Sequence, residues 1–229
     1  MDYHSCRNLA AMFFAEAARQ GDRPFLWAKR AGQYQPVTWR QAATQVTNLA
    51  KGLRALGLER GDRVVLVSEN RPEWVIADLA IMTASGITVP AYITHTVEDY
   101  RHVMADCAAK IALVSTAPLA TRVLPAAAQV PSVSKVIVIE PPAEGQASPV
   151  ELRSWHAVLE LGAARPGDGM DEVRRIERGD IACLIYTSGT GGAPKGCAMV
   201  GRSTSFCDSA IWMRRSTSRT DCVNSSTLT

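Results

Sequence analysis

Residues 181–196 read Ile181-Ala182-Cys183-Leu184-Ile185-Tyr186-Thr187-Ser188-Gly189-Thr190-Gly191-Gly192-Ala193-Pro194-Lys195-Gly196, an apolar, strand-like run that opens into a loop of hydroxyls and glycines closed by a lysine. Such a composition suits a phosphate. Glycines let backbone N–H groups approach an anion with no Cβ in the way, Thr and Ser hydroxyls add donors, and lysine adds a full positive charge. The residue order excludes two other phosphate loops. In a Walker A loop a Ser or Thr follows the lysine to hold Mg2+, whereas Lys195 stands between Pro194 and Gly196. In a dinucleotide turn a third glycine completes Gly-x-Gly-x-x-Gly, and Pro194 takes that place after Gly189 and Gly191. A generic Gly/Pro/Ser cluster after a strand is most often a plain turn. Here the whole run from Tyr186 to Gly196 has a specified order, which favours phosphate contact through Thr187, Ser188, Gly189, Thr190, Gly191, Gly192 and Lys195.

Upstream of the loop, short apolar runs alternate with helical patterns. Asn8 to Gln20 predicts a helix with Leu9, Met12, Phe13 and Ala17 on one stripe and Gly21 as its stop. Phe25–Arg30 and Gln33–Val37 flank Ala31-Gly32 as a hairpin. Thr38-Trp39-Arg40-Gln41 has the form of a capping box, and the helix it opens carries Ala42, Val46, Leu49, Leu53 and Leu56 at helical spacing before Gly57. Val64–Val67 and Ile111–Val114 are continuous apolar runs of the kind buried on both faces of a parallel sheet, and Ile87–Ala91 and Val136–Ile139 read as further strands. Between them come helices at Pro72–Ala84, from Thr96 through Ala109, and at Pro118–Gln129, the last expected to kink or end at Pro125. The residues 141–150 read as a loop, Ser154–Leu161 as a short helix and Gly162–Asp171 as a second loop. The alternation predicts an α/β protein, a doubly wound sheet with helices on both faces and right-handed crossovers.

Composition narrows the function classes. With 47% hydrophobic and 21% charged residues the 229-residue chain is that of a globular protein with a substantial core. A net charge of +3, scattered and without basic runs or interleaved aromatics, argues against a nucleic-acid partner. The six cysteines lack Cys-x-x-Cys or Cys/His spacing suited to zinc, so reduced thiols in a cytoplasmic protein are expected. His95 and His102 stand seven apart with no third ligand in sequence, and read as surface or satisfied histidines. Met1 to Arg7 lacks the basic-then-apolar order of a signal peptide. The most apolar window, Val75 to Ile93, is interrupted by Asp78, Gly86 and Pro90 and predicts no transmembrane segment.

The loop resembles the signature of the adenylate-forming (AMP-binding) superfamily, in outline Ser/Thr-Gly-x-x-Gly-x-Pro-Lys-Gly, with Gly191 where the family more often has Thr. The resemblance extends over about residues 9 to 199. Thr38-Trp39-Arg40-Gln41 is similar to the family's early Thr-aromatic-x-Glu box, with Gln for Glu. Gly61-Asp62-Arg63-Val64, Glu69-Asn70-Arg71-Pro72-Glu73-Trp74, Gly86-Ile87-Thr88-Val89-Pro90-Ala91-Tyr92 and Asp180-Ile181-Ala182 stand in the order seen in bacterial long-chain acyl-CoA synthetases. The resemblance implies ATP and Mg2+ as cofactors. It implies activation of a fatty acid to acyl-AMP and transfer of the acyl group to coenzyme A. Trp74, Glu69 and Asn70 are expected to serve as core, turn and cap groups rather than catalysts. Tyr186 is expected to pack under the loop.

After Met199 the pattern changes. Gly201 to Thr229 holds seven Ser and five Thr with no apolar period of either kind, which predicts an irregular tail. The expected organisation is therefore an N-terminal part of an AMP-binding domain over 1–200 and a non-family tail over 201–229, the change arising from a shifted reading frame near Gly196, with a genuine short paralogue carrying a flexible tail as the alternative. The family's later Mg2+, adenine and ribose motifs and its C-terminal lysine have no counterpart in this sequence. Expected readings are a truncated acyl-CoA synthetase-like protein inactive alone, another adenylate-forming ligase acting on an aryl or amino acid, or a non-catalytic product with at most a partner-binding role.

Overall fold

The apolar runs become the central strands of one mixed sheet. The structure, a computed structural model, describes residues 6–143, 145, 148–187, 194–200 and 211–212. In chain order the elements are α1 (Leu9–Gln20), the hairpin β1 (Pro24–Arg30) and β2 (Gln33–Thr38), α2 (Trp39–Ala55), β3 (Arg63–Val67), α3 (Pro72–Thr83), β4 (Ile87–Pro90), α4 (Val97–Asp106), β5 (Ile111–Val114), α5 (Ala117–Ala128), β6 (Lys135–Val138), β7 (Glu151–Ser154), α6 (Trp155–Ala163), α7 (Met170–Arg175), β8 (Ile181–Thr187), β9 (Lys195–Val200) and β10 (Ile211–Trp212). The large sheet has the order β10-β9-β8-β4-β3-β5-β6-β7. β8, β4, β3, β5, β6 and β7 run parallel, and β9 and β10 are added antiparallel. β4 lies on one side of β3 and β5 on the other, so the winding reverses at β3.

Burial on both faces explains the continuous apolar strands. Val64 and Leu66 of β3 join Ile111, Leu113 and Ile137 in a core under α2, α3 and α6. Val65 and Val67 join Ala112, Val114, Val136 and Val138 in a second core under α4 and α5. Alternation within each strand thus sends successive side chains into opposite layers, and neither layer faces water.

The cap read from sequence forms as a hydrogen-bonded structure, and the structure adds a second. Thr38 Oγ1 accepts from Gln41 N at 3.2 Å while Gln41 Oε1 accepts from Thr38 N at 2.9 Å. Thr96 and Asp99 build an equivalent box at the start of α4. α2 and α6 meet backbone to backbone at Gly52 and Gly162. A Cβ on Gly162 would stand 1.7 Å from the Asn48 carbonyl oxygen, and one on Gly52 would stand 2.2 Å from that of Val158.

Four expectations change. Leu9 is 39% exposed, and the inward stripe of α1 is Ala10, Phe13 and Ala17. α5 continues through Pro125 to Ala128. Pro125 and Thr121, whose carbonyl loses its i+4 partner there, both lie on the exposed side, where water can satisfy the oxygen. Glu151–Ser154 forms the edge strand β7, whose mostly exposed polar residues carry no apolar alternation to read. The stretch expected as loop to Asp171 is shortened at both ends, by α6 running to Ala163 and α7 starting at Met170. Within 201–229 the described residues are Ile211–Trp212, which pair with Ala198 and Cys197 of β9. The irregular tail otherwise lies outside the described residues.

The reversal at β3 leaves a crevice between the carboxyl ends of β3 and β5, the place where ligands commonly bind in such sheets. Here polar side chains fill it. The Ser115 hydroxyl donates to the Glu69 carboxylate, and Thr116 Oγ1 donates to the same group at 3.3 Å. Arg71 bridges Glu73 and Glu140, each at 2.9 Å. Burial acts to raise the Glu69 pKa, but the hydroxyl and backbone hydrogen bonds outweigh it and hold the carboxyl below its ordinary value of 4.5.

Two predictions follow from these contacts. Gly162→Ala forces α2 and α6 apart and lowers stability by about 1–3 kcal/mol or more, measured as a drop in the denaturation midpoint; an unchanged midpoint would contradict the close approach. The stabilisation from the depressed Glu69 pKa is present above its unfolded value and is lost as pH falls through the lower folded value. Glu69→Gln should therefore be less stable than wild type at neutral pH, with the gap closing as the solution is acidified below the ordinary glutamate range.

Candidate phosphate-binding site

β8 carries the candidate loop to the carboxyl end of the sheet. Its partner β9 runs back antiparallel, and the register sets Thr187 opposite Lys195 and Tyr186 opposite Gly196. The two ends of the loop therefore stand side by side, with a hydroxyl and an ammonium group on neighbouring strands. Both residues are exposed, and the strand alternation turns them away from the face that Tyr186 occupies. Ser188, Gly189, Thr190, Gly191 and Gly192 lie outside the described residues. Of the seven residues expected to touch phosphate, the structure thus places Thr187 and Lys195 and brings these two together.

Beneath the loop, Tyr186 is 5% exposed and its hydroxyl donates to Asp106 Oδ2 at 2.7 Å. Burial and that hydrogen bond push its pKa upward, so it stays a protonated donor. Gly196 lies against the ring: a Cβ there would stand 3.1 Å from Tyr186 Cζ. A side chain there would press on the aromatic ring opposite, a packing reason for glycine that needs no ligand. One turn before Asp106 on α4, His102 places Nε2 3.0 Å from the carbonyl oxygen of Pro194. That oxygen only accepts, so the neutral ring carries its proton on Nε2. His102 is a satisfied histidine, as the sequence suggested, but its partner is the loop itself. No signal in the sequence could have found this contact, because it spans 92 positions.

The neighbouring β4–α4 connection is also held firmly. Tyr100 Oη donates to the Tyr92 carbonyl at 2.8 Å, and Arg122 donates to the carbonyls of His95 and Ile93 at 2.5 and 2.8 Å. Tyr92 itself is 65% exposed beside the loop's strand. His95 Nδ1 is buried without a hydrogen-bond partner, and burial lowers the pKa of the ring. Trp74 packs half-buried against the core, and Glu69 binds hydroxyls at the crevice, so neither stands at the loop. Among the described residues no cluster of three or more His, Cys, Asp or Glu side chains could hold a metal ion, and no helix is long and apolar enough to cross a membrane. Cys107, Cys183 and Cys197 are free thiols, and burial raises Cys183 to about 11 and Cys107 to about 12, which makes both inert. A cavity of about 340 Å³ lined by Arg60, Met82, Ile87, Ile176 and Ile181 opens at the amino ends of the strands, away from the loop.

Comparison with known proteins agrees with this arrangement. The chain is 35% identical over 193 residues to the long-chain-fatty-acid–CoA ligase FadD15 of Mycobacterium tuberculosis, an overlap of 84% of this chain and 31% of the relative. It is 29% identical over 187 residues to the human long-chain-fatty-acid–CoA ligase ACSBG1, covering 81% of this chain and 25% of that protein. The chain thus spans between a quarter and a third of these relatives. In fold it is similar to the A-PCP didomain of the carboxylic acid reductase of Segniliparus rugosus, solved in complex with AMP. That match has a TM-score of 0.73 at 19% identity and covers 88% of this chain and 33% of the didomain. The AMP-binding enzyme family matches residues 13–226, nearly the whole sequence, and the chain belongs to that family.

Proposed function

We propose that this chain is the part of an acyl-CoA synthetase that holds the phosphates of ATP while a fatty acid is activated. The observation that supports the reading most is the return of Lys195 to the foot of the loop opposite Thr187, at the carboxyl end of β8. The hydroxyl of Thr187, the backbone N–H groups of Ser188 to Gly192 and the ammonium group of Lys195 are donors matched to phosphate oxygens. The long-chain fatty acid is proposed from the relatives that carry that substrate in their names.

In the proposed reaction the carboxylate attacks the α-phosphate, forming acyl-AMP and releasing pyrophosphate, and coenzyme A then accepts the acyl group. This chain's contribution is to orient the polyphosphate and to place positive charge beside the departing pyrophosphate. Mg2+, when bound, neutralises phosphate charge, and the donor set described here suits the phosphate oxygens rather than the metal itself.

Binding by the chain alone is expected to be weak. Two or three charged hydrogen bonds at about 1.5–3 kcal/mol each supply roughly 3–9 kcal/mol. Association costs an estimated 4–15 kcal/mol, so the two nearly cancel.

Titration of the 229-residue chain with ATP, followed by amide resonances, should shift signals around Thr187 and Lys195 at roughly millimolar ligand. Lys195→Ala should abolish those shifts, and ATP-induced shifts that ignore Lys195 would sink the phosphate assignment. For the acid, this chain joined to the remaining two-thirds of the Mycobacterium tuberculosis relative should exchange pyrophosphate into ATP with long-chain fatty acids. Preference for aryl or amino acids would overturn the substrate class.

A further inference from the structure

We propose that His102 is a positioning residue for the phosphate loop, fixing the Pro194–Lys195 peptide and through it the lysine; the inference rests on the reading of Lys195 given above. Its basis is the placement of two side chains on one rigid helix. His102 and Asp106 are four apart on α4, so they share a face. That face meets both stems of the loop: Asp106 accepts from Tyr186, the residue before Thr187, and His102 donates to Pro194, the residue before Lys195.

The helix that carries them has little freedom to move. The Thr96–Asp99 capping box closes its first turn. Tyr100, Val103 and Met104 are almost wholly buried in the core under β4 and β5, and the Tyr100 hydroxyl is bonded to the β4–α4 connection. His102 also meets the ring of Tyr186 edge-on, at 6.4 Å between centroids, which limits its rotation.

The partner atom explains why the contact bears on binding. Pro194 has no N–H to offer the β8–β9 ladder, so the last residue before Lys195 lacks one of the two usual backbone tethers. Its carbonyl is the remaining one. Anchoring the Pro194–Lys195 peptide through that carbonyl sets where the lysine stem begins. The bond to His102 also engages a carbonyl oxygen whose negative end would otherwise oppose a nearby phosphate. Neither effect requires the imidazole to touch the nucleotide.

The test compares wild type, His102→Phe, which keeps the ring volume but cannot donate, and His102→Gln, whose amide can reach the same carbonyl. Amide hydrogen exchange at Lys195 and Gly196 should be about tenfold faster in His102→Phe, as for loss of one hydrogen bond, and near wild type in His102→Gln. ATP-induced shifts at Lys195 should need several-fold more ligand in the Phe variant and recover in the Gln variant. Equal exchange in wild type and His102→Phe overturns the proposal, as does uniform acceleration across α4 and the whole of β9, which would mark a merely structural role. A Gln variant that restores neither readout also overturns it. Should wild type show no ATP response, the phosphate assignment fails while the exchange comparison still judges the His102 contact. Should His102→Phe not fold, the histidine-labelled spectrum of the wild-type chain decides: a neutral ring protonated on Nε2 supports the contact, and one protonated on Nδ1 overturns it.

Discussion

Strand β3 has no side that faces water, because Val64 and Leu66 pack under α2, α3 and α6 while Val65 and Val67 pack under α4 and α5. A strand buried on both faces satisfies its backbone groups only through neighbouring strands, and β3 has β4 on one side and β5 on the other. The reversal of winding at β3 follows from that arrangement. With β4 set on its side, β8 can add beyond it and carry the phosphate loop to the carboxyl edge. The position of Lys195 thus depends on a packing constraint that lies three strands away.

The two helical layers differ in how they are fastened. α2 and α6 approach so closely through Gly52 and Gly162 that backbone touches backbone, which makes that layer intolerant of any added side chain. On the other face, α4 and α5 bury larger side chains, and α4 also reaches past the core to the loop stems through His102 and Asp106. That second layer thereby connects the core to the stems of the loop after β8. Polar groups between the carboxyl ends of β3 and β5 bind one another, as Glu69 does with Ser115 and Thr116.

Much of this was legible from residue order. Wholly apolar strands, the Thr38–Gln41 box and Pro72 at a first helical turn are local signals, governed by backbone geometry within a few residues, and each forms as read. The run from Tyr186 to Gly196 carried the resemblance to the AMP-binding family, which the match over residues 13–226 bears out. Sequence reading went astray where a local rule met a long-range one. Pro125 stays inside α5 because its face is open to water, and the polar strand β7 exists because β6 offers it an edge.

The sequence by itself determined the α/β class, through periodicity and short-range order, and the residue types of the loop, whose order carries the resemblance to the family. Only the tertiary structure decided that β9 returns antiparallel to set Lys195 opposite Thr187, that Gly196 yields to the Tyr186 ring, and that His102 meets the carbonyl of Pro194. Those contacts join residues up to 92 positions apart, and no local pattern encodes them. They arise when the two cores fix the helices against the sheet, because only then do α4 and the loop stems share a surface.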